Sequence, residues 1–382
     1  MIKKIVQIGI YLIVFSLPLY LIRFEIGWVP FNLLEILIYL LFLFWLLTKP
    51  KLKEIFKEKE FFYPILILFI GLTISTLFSN DIFISAGIWK GWFLAPLFFF
   101  LILIDSLKEK KEIKNIILSL TFSGLIVACI SLFYYLTHNL TYDGRLRGFY
   151  LSANFLAMYL SPILILSLAL YSSLKKRSLR ILLFITQLII FFVIYLTYSY
   201  GALIGLLGAS LILLFKRKKI FSLILLFLII SSFFFQFSSY KFQGMVNFSY
   251  PSIESRLAIW QSVWSIIKDH SLIGIGPGMF QEYYLNYQFK FEPYPEWAVP
   301  QPHNIFLAFW LQTGIIGLIG FIWLLFVFFK KNKPSFLDLI LIASMVYILI
   351  HGLIDTTYWK NDLALIFWLI IALKNKEGRL SD

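Results

Sequence analysis

Residues 237–302 read FSSYKFQGMVNFSYPSIESRLAIWQSVWSIIKDHSLIGIGPGMFQEYYLNYQFKFEPYPEWAVPQP, the one long stretch of this chain that hydrocarbon would not tolerate. The apolar run HNIFLAFWLQTGIIGLIGFIWLLFVFF follows directly at 303–329. Long connections without a fold of their own are uncommon, and function concentrates on those held by a rigid scaffold. Within the stretch, Ser252 is placed to cap a helix whose apolar residues Ile253, Leu257, Trp260, Trp264 and Ile267 recur every three or four positions, ending near Gly274. Such a one-sided helix suits the membrane interface, with its tryptophans at headgroup level. Arg256 lies four residues before Trp260 and therefore on the same side. Pro300 and Pro302 fix the chain just ahead of His303 and Asn304. The loop is expected to form the lid and wall of a site.

Outward from this loop the composition fixes the class. The 382 residues are 60% hydrophobic and 14% charged, where a soluble globular chain carries about 25% charged residues. The expectation is an all-α polytopic membrane protein, one integral domain over 1–382. Apolar runs of near-spanning length recur about twelve times, at roughly 5–22, 30–48, 61–78, 87–104, 116–136, 153–172, 181–198, 200–215, 220–236, 304–329, 335–354 and 362–373. The loop over 237–303 then joins transmembrane helices 9 and 10. The seventh and eighth runs are separated only by TYSYG, which suits a tilted or broken pair. The basic, apolar N-terminus is too long for a signal peptide and reads as a retained first span. Cys129, the single cysteine, excludes a disulfide framework and reads as a small packed hydrophobe.

Orientation follows from the basic residues. With the N-terminus inside, 25 of the 34 Lys and Arg fall in alternate, cytoplasmic segments, which accounts for the +14 net charge by topology and leaves nucleic acid binding unnecessary. Both termini are then cytoplasmic. The other nine, Arg23, Lys90, Arg145, Arg147, Lys241, Arg256, Lys268, Lys290 and Lys360, stand on the opposite side. Snorkelling or solvated charge accounts for Arg23, Lys90, Lys241, Lys268 and Lys290.

Several constellations can carry chemistry. In THNLTYDGRLRGFYLSANFLAMYL (137–160), Arg145 and Arg147 precede a helix start that Ser152 or Asn154 can cap. A guanidinium fork and a helix N-terminus both favour phosphate oxygens, although the same arginines suit lipid headgroups. Arg256 is a second cation, open to pairing with Glu254 or Glu282. His303 opens a helix and is the residue type suited to moving a proton near neutral pH, though a lone histidine there is more often structural. His351 and Asp355, four apart, share a face from which they can orient a partner or touch a substrate hydroxyl. IGIGPGMF (273–280) follows a helix rather than a strand and reads as a tight turn, not a nucleotide loop. No metal-ligand spacing is present, and Glu35 is the one ionisable residue clearly inside an apolar span.

The segments SRLAIWQSVWSIIKDHSLIGIGPGMF and PHNIFLAFWLQTGIIGLIGFIWLL, together with GRLRGFYLSANFLA and HGLIDTTYWKNDLALIFWL, resemble the O-antigen ligase and polymerase superfamily. The resemblance implies a metal- and cofactor-independent, inverting glycosyltransferase. It would move a glycan from polyprenyl (undecaprenyl) diphosphate to a lipid A-core sugar on the periplasmic face of the bacterial inner membrane. It also implies His303 as catalytic base and Arg147 and Arg256 as diphosphate-binding residues, with Arg145 an alternative to Arg147. Many relatives carry an arginine in the segment that here reads TYSYGALIGL, where this chain has Tyr200. A polymerase of the same superfamily is the runner-up, and a lipid-linked oligosaccharide transporter is the reading from a different class. The cations gathered beside one long loop favour the enzyme.

Overall fold

The computed structural model describes residues 1–27, 29–50, 59–214, 219–237, 251–291, 299–330 and 334–381. Lys241 and parts of the long loop (238–250 and 292–298) lie outside the described residues. The chain is mostly helical. In chain order the helices are α1 Ile2–Phe15, α2 Leu33–Leu46, α3 Lys59–Leu77, α4 Ile82–Ile88, α5 Ala95–Ser106, α6 Lys110–Leu136, α7 Ala153–Ser167 and α8 Arg177–Leu196. There follow α9 Tyr200–Leu214, α10 Lys219–Gln236, α11 Pro251–His270, α12 Phe280–Tyr287, α13 Ile305–Phe329, α14 Phe336–Gly352 and α15 Asn361–Ser381. Among the described residues, six helical stretches are long and apolar enough to cross a membrane by length and composition: 60–77, 82–106, 110–136, 153–172, 177–196 and 305–329.

The architecture is not purely α. Arg23–Ile26 pairs antiparallel with Val29–Asn32, Arg23 opposite Asn32, in a hairpin that turns at Gly27 (φ +66°). Periodicity missed it because four-residue strands sit between two strong helical patterns. The break expected at TYSYG falls between α8 and α9, where Tyr198 adopts φ +48°. Cys129 is exposed on α6 and is not packed inside.

Two seams hold the bundle. Helices α3 and α13 meet through glycines: a Cβ on Gly71 would lie 2.2 Å from the Gly317 nitrogen, and one on Gly320 would lie 2.3 Å from that of Leu68. In hydrocarbon, where tails are as apolar as leucine, such close backbone approach is what gives helices a reason to associate. Helices α9 and α14 meet likewise, Gly205 lying under the Tyr347 ring and Gly208 under Ile350. Helix α15 runs through the interior, with every residue from Leu363 to Leu373 buried.

The loop helix α11 differs from its expected face. Ile259, Val263, Ile266 and Ile267 are buried against α12 and Leu311 of α13, whereas Leu257 and Trp264 are about half exposed. The stripe that packs on protein is thus offset from the tryptophan-bearing one. After α11 the chain enters a break in α13. Gly314 leaves the helical conformation (φ +66°), freeing the Leu311 carbonyl to accept from Ile275 N at 2.7 Å, while Ile315 N donates back to the Ser271 carbonyl at 3.2 Å. Gly276 N donates to Ser75 Oγ (3.0 Å) and Gly278 N to Gln312 Oε1 (2.8 Å). IGIGPG is therefore a turn plugged between α3 and α13.

Gly71→Ala is expected to lower the melting temperature and the monodisperse yield, because its methyl group would overlap backbone that cannot give way. Gly87→Ala, whose Cβ would meet only Pro30 at 3.8 Å, should leave both unchanged. Equal melting curves for the two variants would show that the α3–α13 seam is not that close.

Candidate functional site

Asp355 sits in the connection between α14 and α15, and its side chain is only 4% exposed. Its Oδ1 lies 3.1 Å from His303 Nδ1 and accepts from Thr356 N at 2.9 Å; its Oδ2 accepts from Asn154 Nδ2 at 2.8 Å. Burial pushes this carboxyl up, but the charges of His303, Arg256 and His351, with the His303 hydrogen bond, outweigh it. The group is held well below the usual carboxylate range. His303 is 28% exposed, so the imidazole is reachable while the acid that orients it is sheltered.

His303 stands just before α13 with φ +48°, a left-handed conformation uncommon for a residue with a Cβ and concentrated at functional positions. Its neighbours fix it there. Asn304 caps α13, accepting from Phe306 N and Leu307 N (3.0 and 3.1 Å), and donates its Nδ2 to the Leu353 carbonyl at 2.9 Å. Trp260 Nε1 on α11 donates to the Pro302 carbonyl at 3.0 Å. One turn earlier, Arg256 Nε donates to the Ile354 carbonyl at 2.9 Å. The two residues on one side of α11 thus grip the two segments that present His303 and Asp355.

The paired arginines separate. Arg145 Nε donates to the Thr197 carbonyl at 2.8 Å, and its terminal nitrogen donates to Asn154 Oδ1. It ties the loop after α6 to the end of α8 and to the start of α7. Arg147 Nε is buried and has no hydrogen-bond partner among the described residues. A half-buried guanidinium with an unmet donor is the better candidate for an anion brought from outside.

His351 departs from expectation. It is buried, with Nδ1 2.9 Å from Tyr347 Oη and its ring against Gly201 of α9. It packs in the scaffold beneath Asp355 and does not reach the surface where a substrate hydroxyl would sit. Tyr200 is also buried, stacked on Phe233 of α10. Glu35 is the centre of a separate network, accepting from Lys90 Nζ and Asn32 Nδ2 at 2.6 Å each and from Asn361 Nδ2 at 2.9 Å. Lys90 therefore has a carboxylate of this chain as its partner. Lys360 is buried with Nζ 3.4 Å from the centre of the Phe155 ring; burial lowers its ammonium to about 8, with Asp362 opposing and Arg23 reinforcing.

Asn154 was missed as a site residue. It reads in sequence as one of two possible caps, but Ser152 caps α7, accepting from Phe155 N, and Asn154 bridges Arg145 to Asp355. No sequence spacing connects Asn154 with Asp355, 201 positions away. Among the described residues, no group of three or more His, Cys, Asp or Glu side chains converges as a metal site.

These features define a multi-pass helical membrane protein with a histidine–aspartate pair and a cluster of arginines at one end of the bundle. Residues 185–322, about a third of the chain, match the family model described as O-antigen ligase, a match that supports the resemblance to the O-antigen ligase superfamily. The matched segment runs from within α8 into α13 and includes Arg256 and His303. It supports an enzyme role of the membrane glycosyltransferase kind. No curated protein matches the chain.

Arg145→Met is expected to lower the melting temperature, since a charged hydrogen bond typically contributes about 1.5–3 kcal/mol and Arg145 makes two to groups of this chain. Arg147→Met should melt as the parent does. A reversal of this order would make Arg147 the scaffold residue.

Proposed function

We propose that this protein transfers a glycan from a polyprenyl diphosphate carrier to a sugar hydroxyl of lipid A-core, on the periplasmic face of the inner membrane. The observation that carries the proposal is the His303–Asp355 pair, with Arg256 acting on the acid and Arg145 tied to it through Asn154, at the end of the bundle opposite the lysine-rich helix ends. Asp355 accepts from Nδ1 and so leaves Nε2 of a neutral imidazole as the basic atom. The acceptor hydroxyl oxygen attacks the anomeric carbon and passes its proton to Nε2. The bond from that carbon to the carrier's phosphate oxygen breaks, and the diphosphate departs with the electron pair. Displacement in one step inverts the anomeric centre.

Negative charge grows on the departing oxygen, and guanidinium groups fixed in advance stabilise it at no reorganisation cost; one such donor is worth about 10²–10³ in rate. Arg147 supplies the open donor. Arg256 adds positive charge next to Asp355 while held to the Ile354 carbonyl. Arg145 acts at one remove, by holding Asn154 on Asp355. No step calls on a metal or cofactor, so activity of the purified protein should persist in excess chelator; loss that a divalent ion restores would contradict this.

His303→Ala should reduce transfer by about 10²–10⁴, the usual worth of general-base assistance, with binding of the carrier-linked donor largely kept. Asp355→Asn, which preserves shape but presents the wrong tautomer, should cost up to about 10⁴. Asn154→Ala should cost less and also destabilise Arg145. The pH dependence has a definite sign. A carboxyl held below its usual range keeps its charge throughout the neutral region and gives up its stabilisation only as pH falls through that depressed value. Activity lost between neutral and mildly acidic pH therefore does not come from protonation of Asp355. Near-normal transfer by His303→Ala would remove the base assignment. Product formed only with more carrier-linked glycan as acceptor would make the protein a polymerase.

A further inference from the structure

At the end of the bundle opposite His303 lies a cavity of about 500 Å³. It opens between the start of α6, the end of the helical segment that follows α7, the start of α14 and the last turns of α15. Its walls are apolar, from residues including Ile113, Ile117, Leu170 and Phe336, and its polar side carries Lys110, Lys111 and Lys114. Three lysines elsewhere in the bundle are matched: Lys374 with Asp338 at 2.9 Å, Lys330 with Glu60 at 3.0 Å and Lys90 with Glu35 at 2.6 Å. The three at the cavity make no ion pair or side-chain hydrogen bond among the described residues. Glu377 also borders the space, but its carboxylate already accepts from Ser335 Oγ at 2.9 Å. The cavity therefore presents three free cations against one engaged anion.

We propose that this cavity seats an anionic membrane phospholipid, its phosphate held by Lys110, Lys111 and Lys114 and the upper part of its chains against the apolar wall. Topology alone asks for lysines at this end of a helix but does not ask for three of them around one apolar hollow. A free phosphate would be satisfied by the lysines yet leave that wall uncovered. A neutral lipid would cover the wall and leave the cations unmatched. Only a molecule with both parts matches both surfaces, and basic pockets between helix ends bind anionic headgroups in this way. The site is remote from His303 and does not depend on the transfer reaction.

The test uses the full chain, purified in mild detergent and titrated separately with phosphatidylglycerol, phosphatidylcholine and inorganic phosphate. Lipid adducts are read by native mass spectrometry, and stabilisation by the melting temperature. The parent should retain phosphatidylglycerol selectively. A variant carrying Lys110→Gln, Lys111→Gln and Lys114→Gln should lose that selectivity by about tenfold or more, the scale expected for removing several lysines from a headgroup. These side chains are at or near the surface, so the variant should fold. A second variant with Lys3→Gln, Lys4→Gln and Lys49→Gln removes three charges outside the cavity and should keep the preference. Equal retention of the two lipids, unchanged selectivity in the first variant, or inorganic phosphate stabilising as strongly as phosphatidylglycerol would each overturn the proposal.

Discussion

A carboxylate taken out of water costs several kcal/mol unless its oxygens find donors, and Asp355 is buried at the point where four segments of the chain converge. His303, Asn154 and the Thr356 amide all turn to it, and the field of Arg256 falls on it. Each of those groups is held by something else: Asn154 by Arg145, Arg256 by the Ile354 carbonyl, and the His303 segment by Trp260 and Asn304. One desolvated charge thus sets the relative positions of the loop before α7, helix α11, the start of α13 and the connection after α14. Glu35 and Asp338 show the same economy elsewhere in the bundle, each buried and each matched by a lysine. Asp355 differs in that its partner is a titratable ring open to the outside.

The long loop is less separate from the bundle than its polarity suggests. Its glycine-rich turn fills the break that Gly314 makes in α13, and its helix α11 buries an aliphatic face on the same helix. Loop and bundle therefore share hydrogen bonds as well as apolar surface, which keeps Arg256 and Trp260 in register with His303. A loop attached only at its two ends would leave the arginine free to wander by more than the tolerance of the proposed displacement.

The sequence showed the helical class, which depends on composition, and it offered the unusual cations and His303 as candidates through alternation of charge and local turn chemistry. Asp355 was legible as a candidate, but its partner was not. The spacing of four to His351 suggested a shared helix face, whereas α14 ends at Gly352 and the acid turns away towards His303. Asn154 and the difference between Arg145 and Arg147 were illegible for a related reason. Both depend on contacts between residues far apart in the chain, which periodicity does not encode. The offset of the buried face of α11 belongs here too, since tryptophan and leucine count as apolar whichever surface they meet.

The glycine seam between α3 and α13 has a bearing on how the protein is made. Its two sides are separated by most of the chain, so α3 enters the membrane long before the helix it must touch has been synthesised. Until then Gly71 presents bare backbone to lipid, a surface that attracts any helix with small residues of its own. Correct assembly then requires that this face stay available until α13 has been inserted. The plugged turn of 271–278, which contacts both helices, is placed to enter the structure only after they have met.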